Sequence, residues 1–167
     1  MVIPAPINTV MRAAAMMLFV VVLAACSRSA TDNVGMTGVG NTGPGGGAPG
    51  SQQEFLVTVG DRVFFTTDSS SLTPEAMATL DKQAAWLNQY QNYRIMIEGH
   101  ADERGTREYN LALGERRANS AKNYLINQGI AANRITTISY GKERPVALGS
   151  NESAWAQNRR AVTVVAN

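Results

Sequence analysis

The run Gly99-His100-Ala101-Asp102-Glu103-Arg104-Gly105-Thr106 concentrates polar side chains in one short stretch, and Arg116 and Arg117 follow soon after. The flanking segments carry their own apolar faces, so packing does not account for this density. Loops at strand ends are where binding groups are displayed. Arg117 stands one step round from the small-residue face Gly114/Ala118/Ala121 of the helix that follows. From there it reaches back toward the loop, and Asp102 and Arg117 offer opposite charges across a shallow pocket. A ligand bearing an ammonium and a carboxylate on one carbon would match both poles. A guanidinium suits the carboxylate because its fork grips two oxygens at once. The same two residues also fit a plain salt bridge that fixes the loop, and the residues alone leave both readings open.

Catalysis and metal binding find little support in this set. Glu98, His100, Asp102 and Glu103 are near in sequence, but His100 is the only histidine and Cys26 the only cysteine. A zinc site would have to be built almost wholly from carboxylates, an unusual donor set. Ser139 and Ser150 lack a Gly-x-Ser-x-Gly context. His100 is expected to order the loop through hydrogen bonds. The expectation is a binding domain, not an enzyme, with no cofactor.

The elements that must hold this loop are legible from spacing. Asp61 to Thr66 is short and rich in β-formers. Thr73-Pro74-Glu75 begins a helix: hydroxyl cap, proline at the first position, acid in the first turn. Met77, Leu80, Ala84 and Leu87 give that helix an apolar face to about Gln91. Arg94 to Gly99 is a second strand. Leu111, Gly114, Ala118, Ala121 and Leu125 mark a second long helix, which Gly129 ends. Ile135 to Tyr140 is a third strand, Ser153 to Asn158 one or two helical turns, and Ala161 to Val165 a closing strand. This order predicts an α+β fold: a two-layer α/β sandwich, a βαβαββ-type mixed sheet with helices on one face.

Ahead of this domain the composition changes twice. Ala13 to Val22 is an apolar run of signal-peptide length, preceded by Arg12 and too short to cross a bilayer core of about 30 Å. It ends at Leu23-Ala24-Ala25-Cys26, which looks like a bacterial lipobox and implies lipidation of Cys26. Residues 1–25 are then a lipoprotein signal, with Met11 a second possible start. Ser27 stands where an Asp would signal retention in the inner membrane, so outer-membrane sorting is expected. Gly35 to Gly50 has eight glycines in sixteen residues and no charge. Such a stretch cannot bury enough apolar surface to order itself, so residues 26–53 are expected to be a flexible tether. It does not read as a phosphate loop, because no Lys-Ser/Thr follows. The folded domain is then residues 54–167. Without Arg12, 14 Lys and Arg face 13 Asp and Glu. That balance argues against a nucleic-acid binder.

GHADERGTREYNLALGERRANSAKNYL, then SYGKERP, then NRRAVTVV, together resemble the OmpA-like peptidoglycan-binding domain over about residues 60–165. The resemblance implies a pocket that holds the diaminopimelate of a peptidoglycan stem peptide without covalent chemistry. It implies that Asp102 takes the ammonium and Arg117 the carboxylate, with Arg104 a second positive contact. His100 belongs to the same loop. Leu113 would line the pocket, and Phe65 and Thr66 would form its opposite wall. Many relatives carry Asp at the position of Thr66, so this wall departs from the family pattern. Lipoprotein members of the family also bind the periplasmic protein TolB, within the Tol system that draws the outer membrane inward at division. Arg104, Arg107, Tyr109, Lys142 and Glu143 are exposed candidates for that contact. A motility stator would need a transmembrane helix and a porin tail a preceding barrel, and neither pattern is present.

Overall fold

The computed structural model describes residues 47–166. The signal-like run, Cys26 and most of the glycine-rich stretch lie outside the described residues.

The chain enters the fold earlier than residue 54. Ser51 caps a single helical turn, α1 (Gln52–Glu54), which passes into a π-helical turn over Phe55–Val59. Glu54 Oε2 accepts from Gly50 N at 2.7 Å and from Trp86 Nε1 at 2.8 Å, and the Tyr93 hydroxyl donates to Gly50 O at 2.7 Å. Phe55 is buried against the Trp86 ring, 5.0 Å between centroids. An aromatic cluster of the domain therefore holds Gly50 to Phe55, a pairing that local periodicity does not reveal.

Gly60, with φ +93, then turns the chain into strand β1 (Arg62–Phe64). Helix α2 (Pro74–Gln89) starts at Thr73, whose hydroxyl accepts from Ala76 N at 3.2 Å. Strand β2 (Arg94–His100) leads through the polar loop to helix α3 (Arg107–Asn127), capped by Thr106. Strand β3 (Ile135–Gly141), helix α4 (Glu152–Asn158) and strand β4 (Arg160–Ala166) complete the order. The sheet runs β1-β4-β2-β3, with β4 antiparallel to both neighbours and β2 parallel to β3. The βαβ crossover through α3 accounts for the parallel pair. This is the predicted two-layer α/β arrangement.

Leu80, Leu87, Ile95, Ile97, Ala118 and Leu125 form the centre of the core between the sheet and helices α2 and α3. Two residues assigned to apolar helix faces lie outside it: Met77 is 38% and Leu111 46% exposed. Ala76 and Gln83 take the buried positions on α2 instead, and Gln83 is satisfied there by Gly60 O at 2.7 Å and Thr163 Oγ1 at 2.9 Å. No helix among the described residues is long and apolar enough to cross a membrane.

Candidate functional site

A cavity of about 270 Å³ opens at the C-terminal end of β2, walled by Asp68, Asp102, Arg104, Tyr109, Asn110 and Leu113. That is below the size of a drug-sized pocket and suits the end of one amino-acid side chain. Two carboxylates face it, in quite different states.

Asp102 is already engaged. It accepts from Arg104 N and Nε, both at 3.1 Å, from Arg104 Nη2 at 2.7 Å and from Arg159 Nη1 at 3.4 Å. Burial alone would push its pKa up, but the Arg104 bonds and charge outweigh that and hold it below the ordinary carboxylate range. Arg159 is itself buried, donating to Phe65 O at 3.1 Å and to Glu152 Oε1 at 2.5 Å. Asp68, in contrast, accepts from the Tyr109 hydroxyl and has no cation paired with it among the described residues. It sits at φ +56, in the left-handed region that a non-glycine residue rarely adopts.

Arg117 is fully buried and stands beneath the cavity rather than in its wall. Its Nε donates to Ser69 O at 2.8 Å, Nη1 to His100 O at 2.8 Å and Nη2 to Thr66 O at 3.1 Å. Its guanidinium lies 5.2 Å from the Phe65 ring centroid. No carboxylate is ion-paired with it among the described residues. Desolvation lowers its pKa to about 10, so it remains a cation at neutral pH. Three of the five N–H donors of a guanidinium are used here, all on backbone carbonyls. The sequence places Arg117 at the core margin facing Asp102; the structure puts it inside, without a salt bridge between them.

The remaining expected residues divide. Arg104 and Leu113 line the cavity. Phe65 is buried under Arg117, and Thr66 contributes its carbonyl; the wall they were expected to make is formed by Thr67 and Asp68. His100 is buried with its ring away from the cavity, and neither ring nitrogen has a hydrogen-bond partner among the described residues. It therefore does not order the loop by side-chain hydrogen bonds. Lys142 does that, donating to Glu103 O at 3.1 Å and Gly105 O at 2.7 Å. Asp68 and Tyr109 escaped sequence reasoning as pocket residues. The available signal for Asp68 was that it is the only acid between β1 and α2.

A family model described as the OmpA family matches residues 64–159, which include both halves of this pocket. The chain belongs to the OmpA family. Among curated relatives, "Peptidoglycan-associated lipoprotein" of Mesorhizobium japonicum is 54% identical over 162 residues, covering 95% of this chain and 92% of the relative. The protein of that name from Rhizobium meliloti is 65% identical over 117 residues, 70% of this chain and 66% of the relative. The crystal structure of the peptidoglycan-associated lipoprotein from Burkholderia pseudomallei superposes with a TM-score of 0.62 at 43% identity, over 64% of this chain and 90% of that one. The C-terminal domain of Helicobacter pylori MotB shares the OmpA-like fold at 20% identity and a TM-score of 0.60. These lipoprotein relatives are named for association with peptidoglycan, and none of their names is that of an enzyme.

Proposed function

We propose that this chain is an outer-membrane lipoprotein that grips the diaminopimelate stem peptide of peptidoglycan non-covalently and ties the outer membrane to the cell wall. Residues 1–25 are the signal, Cys26 the lipidated anchor, and the glycine-rich stretch after it the tether. The carrying observation is the charge layout of the pocket: a buried Arg117 cation with no carboxylate paired to it, under a cavity whose rim bears Asp68 and Asp102. A buried cation without a counter-ion is a seat for an anion, since pairing offsets part of its desolvation cost.

In this reading the ligand ammonium meets Asp68 and Asp102, and its carboxylate meets Arg104 at the rim and Arg117 at the floor. Leu113 packs against the aliphatic stem between the two poles. Phe65 stacks behind Arg117, and the two guanidinium N–H donors that no carbonyl occupies are left for the carboxylate. The names of the relatives support peptidoglycan as the ligand class.

TolB, within the Tol–Pal system that serves envelope integrity and constriction at division, is the proposed protein partner. Arg104 and Tyr109 line the cavity itself, and Arg107 pairs with Glu143 at 3.3 Å on the surface beside it. A protein docking there covers the cavity, so wall and partner compete.

Sedimentation of the full chain in detergent with purified sacculi tests the reading. Wild type should pellet, and folded Asp68→Ala and Asp102→Ala variants should stay largely in solution. Wild type remaining in solution would overturn wall binding and leave TolB as the surface's partner.

A further inference from the structure

His100 has no task in the pocket as described, yet its ring is 2% exposed and its two nitrogens are without partners among the described residues. Alternation along β2 sets Ile95 and Ile97 into the core and His100 on the opposite sheet face. The groups facing the ring come from β2 itself, from the adjoining strands β3 and β4, and from the segment after β3. Glu98 of β2 brings Oε2 to 3.6 Å from Nε2, and the Tyr140 ring of β3 lies 5.6 Å away between centroids. Arg160 of β4 and Arg144 beyond β3 are near enough for their charges to oppose a proton on the ring. Burial and these guanidiniums lower its pKa to about 4, so the ring is neutral at neutral pH.

The carbonyl of the same residue is engaged from the other side. It accepts Arg117 Nη1 at 2.8 Å. The β2–β3 register slips at this point: Gly99 pairs with Ser139 but His100 with Gly141, which leaves Tyr140 as the extra residue. A bulge of this kind re-aims a side chain, and here the re-aimed Tyr140 lies beside His100. Arg144 stacks 3.6 Å over the Tyr140 ring, and Arg160 Nη2 donates to Arg144 O at 3.2 Å. Between Tyr140 and Arg144, Lys142 reaches the pocket loop at Glu103 O and Gly105 O. The packing that encloses the ring is thus continuous with the strap that holds the pocket loop.

We propose that His100 is a positioning residue for the pocket: its buried ring, wedged among Tyr140, Arg144 and Arg160, fixes the end of β2 so that its carbonyl seats Arg117 and the Lys142 strap holds Glu103 to Gly105. The inference rests on the pocket reading above for its functional consequence. Charging the ring sets a third cation beside Arg144 and Arg160 with Glu98 as the facing carboxylate. The wedge then loosens, and the seat of Arg117 loosens with it.

The test uses the full chain in detergent, with the Arg117 side-chain N–H signals followed by NMR and a diaminopimelate-containing stem peptide as the binding probe. In wild type, the Arg117 signals should move with the His100 ring signals between pH 7 and pH 4. His100→Asn, which cannot charge in that range, should abolish the coupled movement. His100→Ala should weaken peptide binding roughly three- to thirty-fold, and Arg117→Lys should remove most of that difference. Arg117 signals that stay fixed while His100 titrates would overturn the proposal, as would full binding by folded His100→Ala. If His100→Ala does not fold, the wild-type titration and His100→Asn decide. Wild type that binds no peptide at any pH overturns the pocket reading alone, because the Arg117 signals still report on the positioning.

Discussion

Gly99 and Gly114 meet backbone to backbone: a Cβ on Gly99 would lie 2.5 Å from the Gly114 carbonyl carbon, and a Cβ on Gly114 would lie 2.8 Å from Gly99 O. The Ser139 hydroxyl, which donates to Leu111 O, is the one side chain a Cβ on Gly114 would meet, and the rest of the contact is backbone that cannot move aside. Helix α3 therefore rests directly on β2, and Arg117 follows Gly114 by about one turn. Gly114→Ala should lower stability by about 1–3 kcal/mol through overpacking. It should also weaken sacculus binding, because α3 must lift away from the strand whose end seats Arg117. Thermal unfolding together with co-sedimentation checks both effects; an unchanged midpoint would mean that the helix shifts at no cost.

Asp68 allows backbone and carboxylate to be separated. Its φ of +56 costs a non-glycine residue of order 1 kcal/mol, which glycine does not incur. Asp68→Gly should hold or slightly raise the denaturation midpoint while weakening capture of a diaminopimelate peptide. A variant that binds as tightly as wild type would show that the carboxylate holds only Tyr109.

Arg117→Ala is a poor probe of binding alone. Removing the guanidinium takes the donor from His100 O, which is buried, and from Thr66 O and Ser69 O, which are partly buried, and an unsatisfied buried acceptor costs about 1–3 kcal/mol. The expected outcome is a clear loss of stability besides the loss of binding, read from denaturant unfolding. Arg117→Lys keeps a cation but not the three-way geometry, so it should recover part of the stability and little of the binding.

The fold was legible because its elements carry local signals. Thr73-Pro74 and Gly129 mark helix ends through capping chemistry, and the periodicities of α2 and α3 hold apart from Met77 and Leu111, which are exposed. Gln52 to Val59 was not legible, because Glu54, Trp86 and Tyr93 hold it through contacts distant in the chain. In the site, Asp102 follows from its position in the polar loop, and Arg104 and Leu113 follow from the family resemblance. Arg117 was misplaced for a physical reason: spacing gives the helix face, but three backbone carbonyls decide that a guanidinium is buried rather than exposed. Thr66 and Asp68 exchange roles for a similar reason. The left-handed turn at Asp68, invisible to alternation, swings that carboxylate to the pocket.

The pH dependence of stability separates His100 from the carboxylates. His100 titrates near 6.5 when unfolded and at about 4 in the fold. Above pH 6.5 both states are neutral and its contribution is complete. Between 6.5 and 4 the unfolded chain binds a proton that the native ring refuses, so stability falls as pH falls, by at most about 1.4 kcal/mol per unit. Below about 4 His100 adds no further loss. Asp102 behaves in a lower window: its pKa is held under the 3.8 of a free carboxyl, so its contribution is present above 3.8 and disappears as pH drops through the native value. His100 is the only histidine, so no other side chain has a reference pKa between about 5 and 6.5. Denaturant midpoints over that interval should therefore slope in wild type and lie nearly flat in His100→Asn, while both proteins share the steep loss at lower pH. Superimposable slopes between pH 5 and 6.5 would show that the ring accepts its proton in the fold as readily as in water.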